Sequence, residues 1–203
     1  MSAPLIFDPA RCAVLSMDFH TAIVSIYAKD QQGLLARAAS VLKQARSSGM
    51  AIIHVQVGFR PGLPEVSSRN ILFAAIKDSP KHQHLFQGAA GAIHAAVAPQ
   101  EGDITVTKHR VDAFAGTDLE MILRAKDVDT LILFGIATSG VVLSTLLHAC
   151  DADYRLFVIK DCCEDRDAAL HDCLVEKLFP SRATVISADE FLSSLRPTTL
   201  SSQ

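Results

Sequence analysis

Apolar residues in this chain fall into short unbroken runs, separated by stretches in which they recur every three or four positions. The runs read as buried strands at Ala13–Met17 (AVLSM), Ala51–Val57 (AIIHVQV), Ile104–Thr107, Leu131–Ile136, Arg155–Ile159 and Thr184–Ile186. The clearest helix is Gly33–Ser48, where Leu34, Leu35, Ala38, Val41, Leu42 and Ala45 form one stripe that stops at Gly49. Thr117–Ala125, Val141–Cys150 and Asp167–Leu178 predict further helices. Strand and helix alternate, which predicts an α/β fold with a mostly parallel six-stranded sheet between helical layers. The Val141–Cys150 helix is apolar nearly all round and is expected between the sheet and a neighbouring subunit. From Arg60 to Gly102 the alternation breaks: a Pro/Gly-rich loop leads to a small, apolar stretch at Gly88–Ala98. It reads as a helical excursion over the sheet edge, so residues 1–203 are expected to form a single domain whose tail, 197–203, frays.

Composition narrows the class. A chain of 203 residues suits one domain, and 49% of it is hydrophobic. No apolar run approaches the ~20 residues that span a bilayer. The excess is expected in a large core and in subunit contacts, which predicts a homo-oligomer, dimer or tetramer. A net charge of −3 with mixed signs leaves no basic stripe for nucleic acid. The start, MSAPLIFDPARCAVL, lacks a basic segment followed by an apolar one, so no secretion signal is expected. Five cysteines, two of them adjacent (Cys162, Cys163), suit a reduced cytoplasmic protein better than a disulfide framework.

The chemistry concentrates at Thr130–Thr145, TLILFGIATSGVVLST. A buried strand there runs straight into a helix whose first turn holds Thr138, Ser139 and Gly140. That junction places backbone N–H groups and a helix-dipole end at a strand's carboxyl edge. The N–H groups from Ala137 to Val141 suit a developing oxyanion or a bound carboxylate. Asp18 follows the first strand and Lys108 the third, so both emerge on the same edge as this elbow. A lone post-strand Asp would read as a cap; three such positions converging point to a site. The His82-x-His84 pair, with His94 and His109 farther off, reads as surface histidines on a polar loop, and neither metal nor cofactor is expected.

The series Gly135, Ile136, Ala137, Thr138, Ser139, Gly140, Val141, Val142, Leu143, Ser144, Thr145 resembles the nucleophile turn of the isochorismatase-like hydrolases, also called cysteine hydrolases. The family pattern is roughly G-[VI]-x-T-x-x-C-V-x-x-T, and Val141 occupies its cysteine slot. The likeness extends to RPGLPEV (Arg60–Val66), to Lys108-His109-Arg110 followed by Ala113-Phe114-x-Gly116-Thr117-x-Leu119, and to Asp161…Asp165-Arg166-Asp167. It runs from about Arg11 to Leu192. The resemblance implies a three-layer, Rossmann-like α-β-α fold, a small-molecule substrate, and a catalytic set at Asp18, Lys108 and the Val141 position. In thiol-using members the Asp takes the cysteine's proton and the Lys stabilises the charge. A valine cannot attack, so covalent acyl chemistry is excluded at Val141. True isochorismatases carry Gly there and use the Asp as general acid on a vinyl ether, with water as nucleophile; Val fills the space that Gly leaves open.

The resemblance also implies a cis peptide at Ile136–Ala137, and pocket walls from Phe114 and the Arg60 loop, with Phe114 equally readable as core. His20 stands where thiol members have Gln, either as a proton-transfer group or as a buried structural histidine. Nicotinamidase-type relatives carry an Asp-x-His zinc pair after the second strand; here that region reads Val57-Gly58-Phe59-Arg60. No other cysteine is expected to stand in. Cys150 lies nine residues beyond Val141, about 13 Å along a helix. Cys162 and Cys163 follow the fifth strand, one strand away, and read as core fillers. The expected function is hydrolysis of a small metabolite by Asp/Lys acid–base chemistry without a cysteine nucleophile. The alternative is a non-catalytic descendant that binds a small molecule or serves as a structural oligomer.

Overall fold

In the computed structural model, which describes residue 5 and residues 7–195, strands β1 (Cys12–Met17), β2 (Ala51–Val57), β3 (Ile104–Lys108), β4 (Thr130–Gly135), β5 (Arg155–Ile159) and β6 (Thr184–Ile186) form one sheet. Their order is β3-β2-β1-β4-β5-β6 and every neighbouring pair is parallel. The expected six-stranded α/β sheet is therefore present, and it is wholly parallel. Every residue of β1 and β4 is buried, which requires cover on both faces and explains why these strands read as unbroken apolar runs. The tail 197–203 lies outside the described residues.

The order of strands reverses between β1 and β4. From β1 the chain moves outward to β2 and β3, then returns across β1 to continue with β4, β5 and β6. Open parallel sheets bind ligands at such a switch, in the crevice beyond the strands' carboxyl ends. Gly135 ends β4 opposite Met17 of β1, and a Cβ there would run into the Met17 carbonyl oxygen and side chain. Glycine thus permits the close approach of the two strands that flank the crevice.

The connecting helices are α1 (Thr21–Tyr27), α2 (Gln31–Ser47), α3 (Ile71–Lys77), α4 (Pro80–His84), α5 (Gly88–Gly91), α6 (Leu119–Ala125), α7 (Leu143–Asp151), α8 (Ala168–Cys173) and α9 (Ala188–Ser194). In α2 the Asp30 carboxylate caps the Gly33 N–H, the predicted stripe is buried, and the chain turns away at Gly49 with φ +84°. α9 packs against α2 and opens with a capping box between Ser187 and Glu190. The excursion after Arg60 is helical as expected and comprises α3, α4 and α5. Phe73 of α3 joins Val57, Leu63 and Val66 in a small satellite core.

Two predicted helices are built differently from a single α-helix. The stretch from Val141 begins inside a π-helical turn, Thr138–Val142, that leads into α7. The stretch from Asp167 is α8 followed by a π turn at Leu174–Leu178. α7 buries Thr145, Leu146 and Ala149, while Leu147 stays 38% exposed, so its apolar surround is only partly covered within the chain. Toward the amino ends of β2 and β3, His54 Nε2–H donates to Asp103 Oδ2 (3.1 Å), which Arg46 Nη2 also reaches (2.6 Å).

Candidate active site

Asp18 is the first residue beyond β1. Its N–H donates to the Val55 carbonyl (2.8 Å), and its φ of +56° lies in the left-handed region, which Asp visits more readily than most residues. This backbone turn carries the carboxylate away from the strand direction. Lys108 ends β3, two strands away, and its side chain passes the end of β2 to meet Asp18: Nζ and Oδ2 are 2.8 Å apart. Only 2% of Lys108 is exposed, and Nζ also donates to the Arg110 carbonyl (3.1 Å). An ammonium so deeply placed is tenable because it is paired and hydrogen-bonded. The other carboxylate oxygen, Asp18 Oδ1, is buried without a hydrogen-bond partner. Unmet buried acceptors are uncommon and mark a place where a ligand or water supplies the bond.

His20 comes within 3.8 Å of that oxygen but cannot pair with it. The Val57 N–H donates to His20 Nε2 (3.1 Å), so this nitrogen carries no proton, and Nδ1–H donates to the Gly91 carbonyl (2.6 Å). Both ring nitrogens are spent on holding β2 and α5 in place. Of the two readings of His20, its geometry is that of a structural histidine.

The elbow meets the ion pair from β4. The Ile136–Ala137 peptide is cis. The Thr138 N–H donates to the Glu164 carbonyl (3.0 Å), the Ser139 N–H to Asp165 Oδ2 (2.8 Å) and the Gly140 N–H to the Ala137 carbonyl (3.1 Å). The Thr138 hydroxyl pairs with His171 Nδ1 (2.8 Å). Three of the five N–H groups expected to face an anion therefore serve the fold. The remaining two belong to Ala137 and Val141, and both of these residues line the cavity that holds the ion pair.

That cavity has a volume of about 150 Å³. Asp18, Lys108, Ala137, Gly140 and Val141 form its polar end, and α1 and α3 contribute Tyr27 and Leu72 to the apolar remainder. The structure thus brings together Asp18, Lys108 and the elbow, as the sequence predicts, and leaves the two expected walls elsewhere. Phe114 is 6% exposed and stacks on His148, with ring centroids 4.5 Å apart, away from the cavity lining. Arg60 lines a neighbouring concavity and lies 3.8 Å from Glu65. Sequence reasoning missed the actual walls, Tyr27, Leu72, Phe86 and Val111 among them, and the anchors Asp165 and His171. Asp165 and its neighbours were visible as a motif after β5, but their role depends on contacts with the elbow.

None of the five cysteines lines this cavity. Burial pushes the Cys163 thiol up to about 12 and raises Cys162 well above its usual value, so both are protonated core groups at neutral pH. The described residues contain no cluster of three His, Cys, Asp or Glu side chains arranged to hold a metal.

The chain is similar to known proteins in sequence and in fold. Residues 12–190 match the isochorismatase domain. The chain is 26% identical to maleamate amidohydrolase of Pseudomonas putida over 91% of its own length and 86% of that enzyme. It is 30% identical to YecD, an uncharacterized isochorismatase family protein of Escherichia coli, over 78% of this chain and 81% of YecD. Its fold superimposes on an isochorismatase family protein from Burkholderia thailandensis with a TM-score of 0.81 at 24% identity, covering 96% of this chain and 99% of the other.

Proposed function

The chain belongs to the isochorismatase family, and from that membership we propose that it hydrolyses a small metabolite through a water activated by Asp18, with no covalent intermediate. The observation that carries this reading is the buried Asp18–Lys108 pair at the cavity's polar end, with one carboxylate oxygen left unbonded beside the elbow. Asp18 Oδ1 takes a proton from water as the water attacks a carbonyl, and the N–H groups of Ala137 and Val141 receive the charge that develops on oxygen. Lys108 holds Asp18 in place through Oδ2 and balances its charge. The proton then passes from Asp18 to the leaving group. Val141 contributes its backbone and excludes solvent, while its side chain takes no part in bond making. The match to maleamate amidohydrolase supports an amide bond as the one broken.

Replacing Asp18 with Asn keeps the shape and removes the base. Turnover on an amide panel, followed by ammonia release, is expected to fall by roughly 10²–10⁴-fold, the usual contribution of a positioned acid–base group. An Asp18→Asn protein that turned over at the wild-type rate would end this reading. A second reading, a non-catalytic binder, has Val141 itself in its favour. It predicts ligand binding with no ammonia released from any amide.

A further inference from the structure

The cavity's lining says what kind of molecule it accepts. We propose that the ligand is a neutral carboxamide with a short apolar substituent and no second charged group, an inference that rests on the hydrolase reading only for the identity of the bond broken. Two observations motivate it. First, among the described residues Asp18 is the lining's only carboxylate and Lys108 its only cation, and they neutralise each other at 2.8 Å. Second, apart from the Tyr27 phenol, the wall facing them is hydrocarbon: Ile23, Leu72, Phe73, Ile76, Phe86 and Val111.

A ligand carboxylate on that wall would lose its water and gain no cation, a heavy desolvation cost. Placed instead at the polar end, it would meet the free oxygen of Asp18, a like charge. None of the arginines around the cavity belongs to its lining. Arg110 donates to the His109 and Glu65 carbonyls and lies over the Phe73 ring. Arg60 lies beside Glu65 and in another concavity. Arg166 stands over the Tyr27 ring, 6.0 Å from its centroid, and is not part of the lining. The cavity's volume of about 150 Å³ suits a substituent of a few carbons. A neutral amide satisfies both ends: its polar group reaches Asp18 and the elbow, and its chain lies against the apolar wall. This sets the protein apart from the amidohydrolase it matches, whose name specifies a substrate carrying a second carboxyl group.

The test compares butanamide with succinamate, a molecule of the same length ending in a carboxylate, by calorimetric titration of the wild-type protein and of Leu72→Arg, together with ammonia release. Leu72 is 57% exposed at the cavity's rim, so an arginine there is accommodated by the fold. Wild type is expected to bind butanamide at least tenfold more tightly than succinamate, and Leu72→Arg to narrow or reverse that preference. Succinamate binding as tightly as butanamide, no binding of either, or a preference unmoved by Leu72→Arg overturns the inference. The hydrolase reading is judged separately: butanamide bound without ammonia release sinks that reading and leaves the ligand class standing, whereas turnover of succinamate alone does the opposite.

Discussion

A valine where a thiol is expected changes what reagents do to this protein. Cys162 and Cys163 are buried, with their thiols pushed up by burial, Cys163 to about 12. Cys12 is likewise buried and raised, to about 11. Cys173 is the exposed one. Iodoacetamide at pH 7.5 is therefore expected to label Cys173 first, as read by peptide mass mapping, and to leave turnover unchanged; loss of activity in step with labelling would show that a thiol is essential. The constructive counterpart is Val141→Cys. It places a thiol in the cavity beside Asp18, and the variant is expected to gain amidase turnover that iodoacetamide then removes. A variant no more active than wild type, and indifferent to the reagent, would show that the surrounding groups no longer support a nucleophile.

The elbow and the strand β2 show how elements hold these side chains. Asp165 accepts the Ser139 N–H at 2.8 Å, so Asp165→Ala leaves a backbone donor of the elbow unmet. The expected cost is about 1–3 kcal/mol in urea unfolding, accompanied by a fall in kcat as the turn loosens. Unchanged stability and unchanged kcat together would assign the elbow's shape to other contacts. In β2, burial pushes the His54 imidazole below its usual value against the opposing pull of Asp103. Burial also works against the Asp103 carboxylate, but hydrogen bonds from Arg46, the Gln100 N–H and His54 outweigh it and hold the acid low. For His54 the folded state favours the neutral ring, so its contribution is intact above the unfolded value of about 6.5 and shrinks as the pH falls below it. Asp103 behaves alike further down: its stabilisation is present above the unfolded carboxylate value and lost as acid protonates it. The wild-type urea midpoint is expected to drop between pH 7 and pH 5, and His54→Leu to flatten that slope; a parallel slope in the variant would place the titration on another group.

The same elements show where sequence patterns stop informing. β1, β2, β4 and β5 were legible because strands covered on both faces must be apolar at consecutive positions. α9 was missed although Ser187 and Glu190 form its capping box, a local signal available in the chain. α1 was missed for a different reason: Val24 is its single fully buried residue, so Thr21–Tyr27 carries no helical stripe. The π turn at Thr138–Val142 leaves no compositional trace, since it differs from an α turn only in bond register. Asp18 and Lys108 could be placed on one edge by strand order alone. The roles of His20 and Phe114 could not, because they depend on Gly91, Val57 and His148, partners distant in the chain.

For the whole molecule, self-association stands as a proposal motivated by exposed apolar side chains. Ile71 is 87% exposed and Met121 72%, alongside a partly uncovered α7. Light scattering after size exclusion is expected to give a mass at a multiple of the 21.8 kDa chain, two or four copies; a single-chain mass at micromolar concentration would refute it. No helix among the described residues is long and apolar enough to cross a membrane. The crossing from β3 back to β4 has a further consequence during synthesis. Asp18 emerges early, yet the partner that secures it arrives ninety residues later, and the turn that completes the pocket later still. A ribosome making this chain thus carries an orphaned carboxylate through those ninety residues of synthesis, and a product ending before residue 141 lacks the turn that completes the pocket.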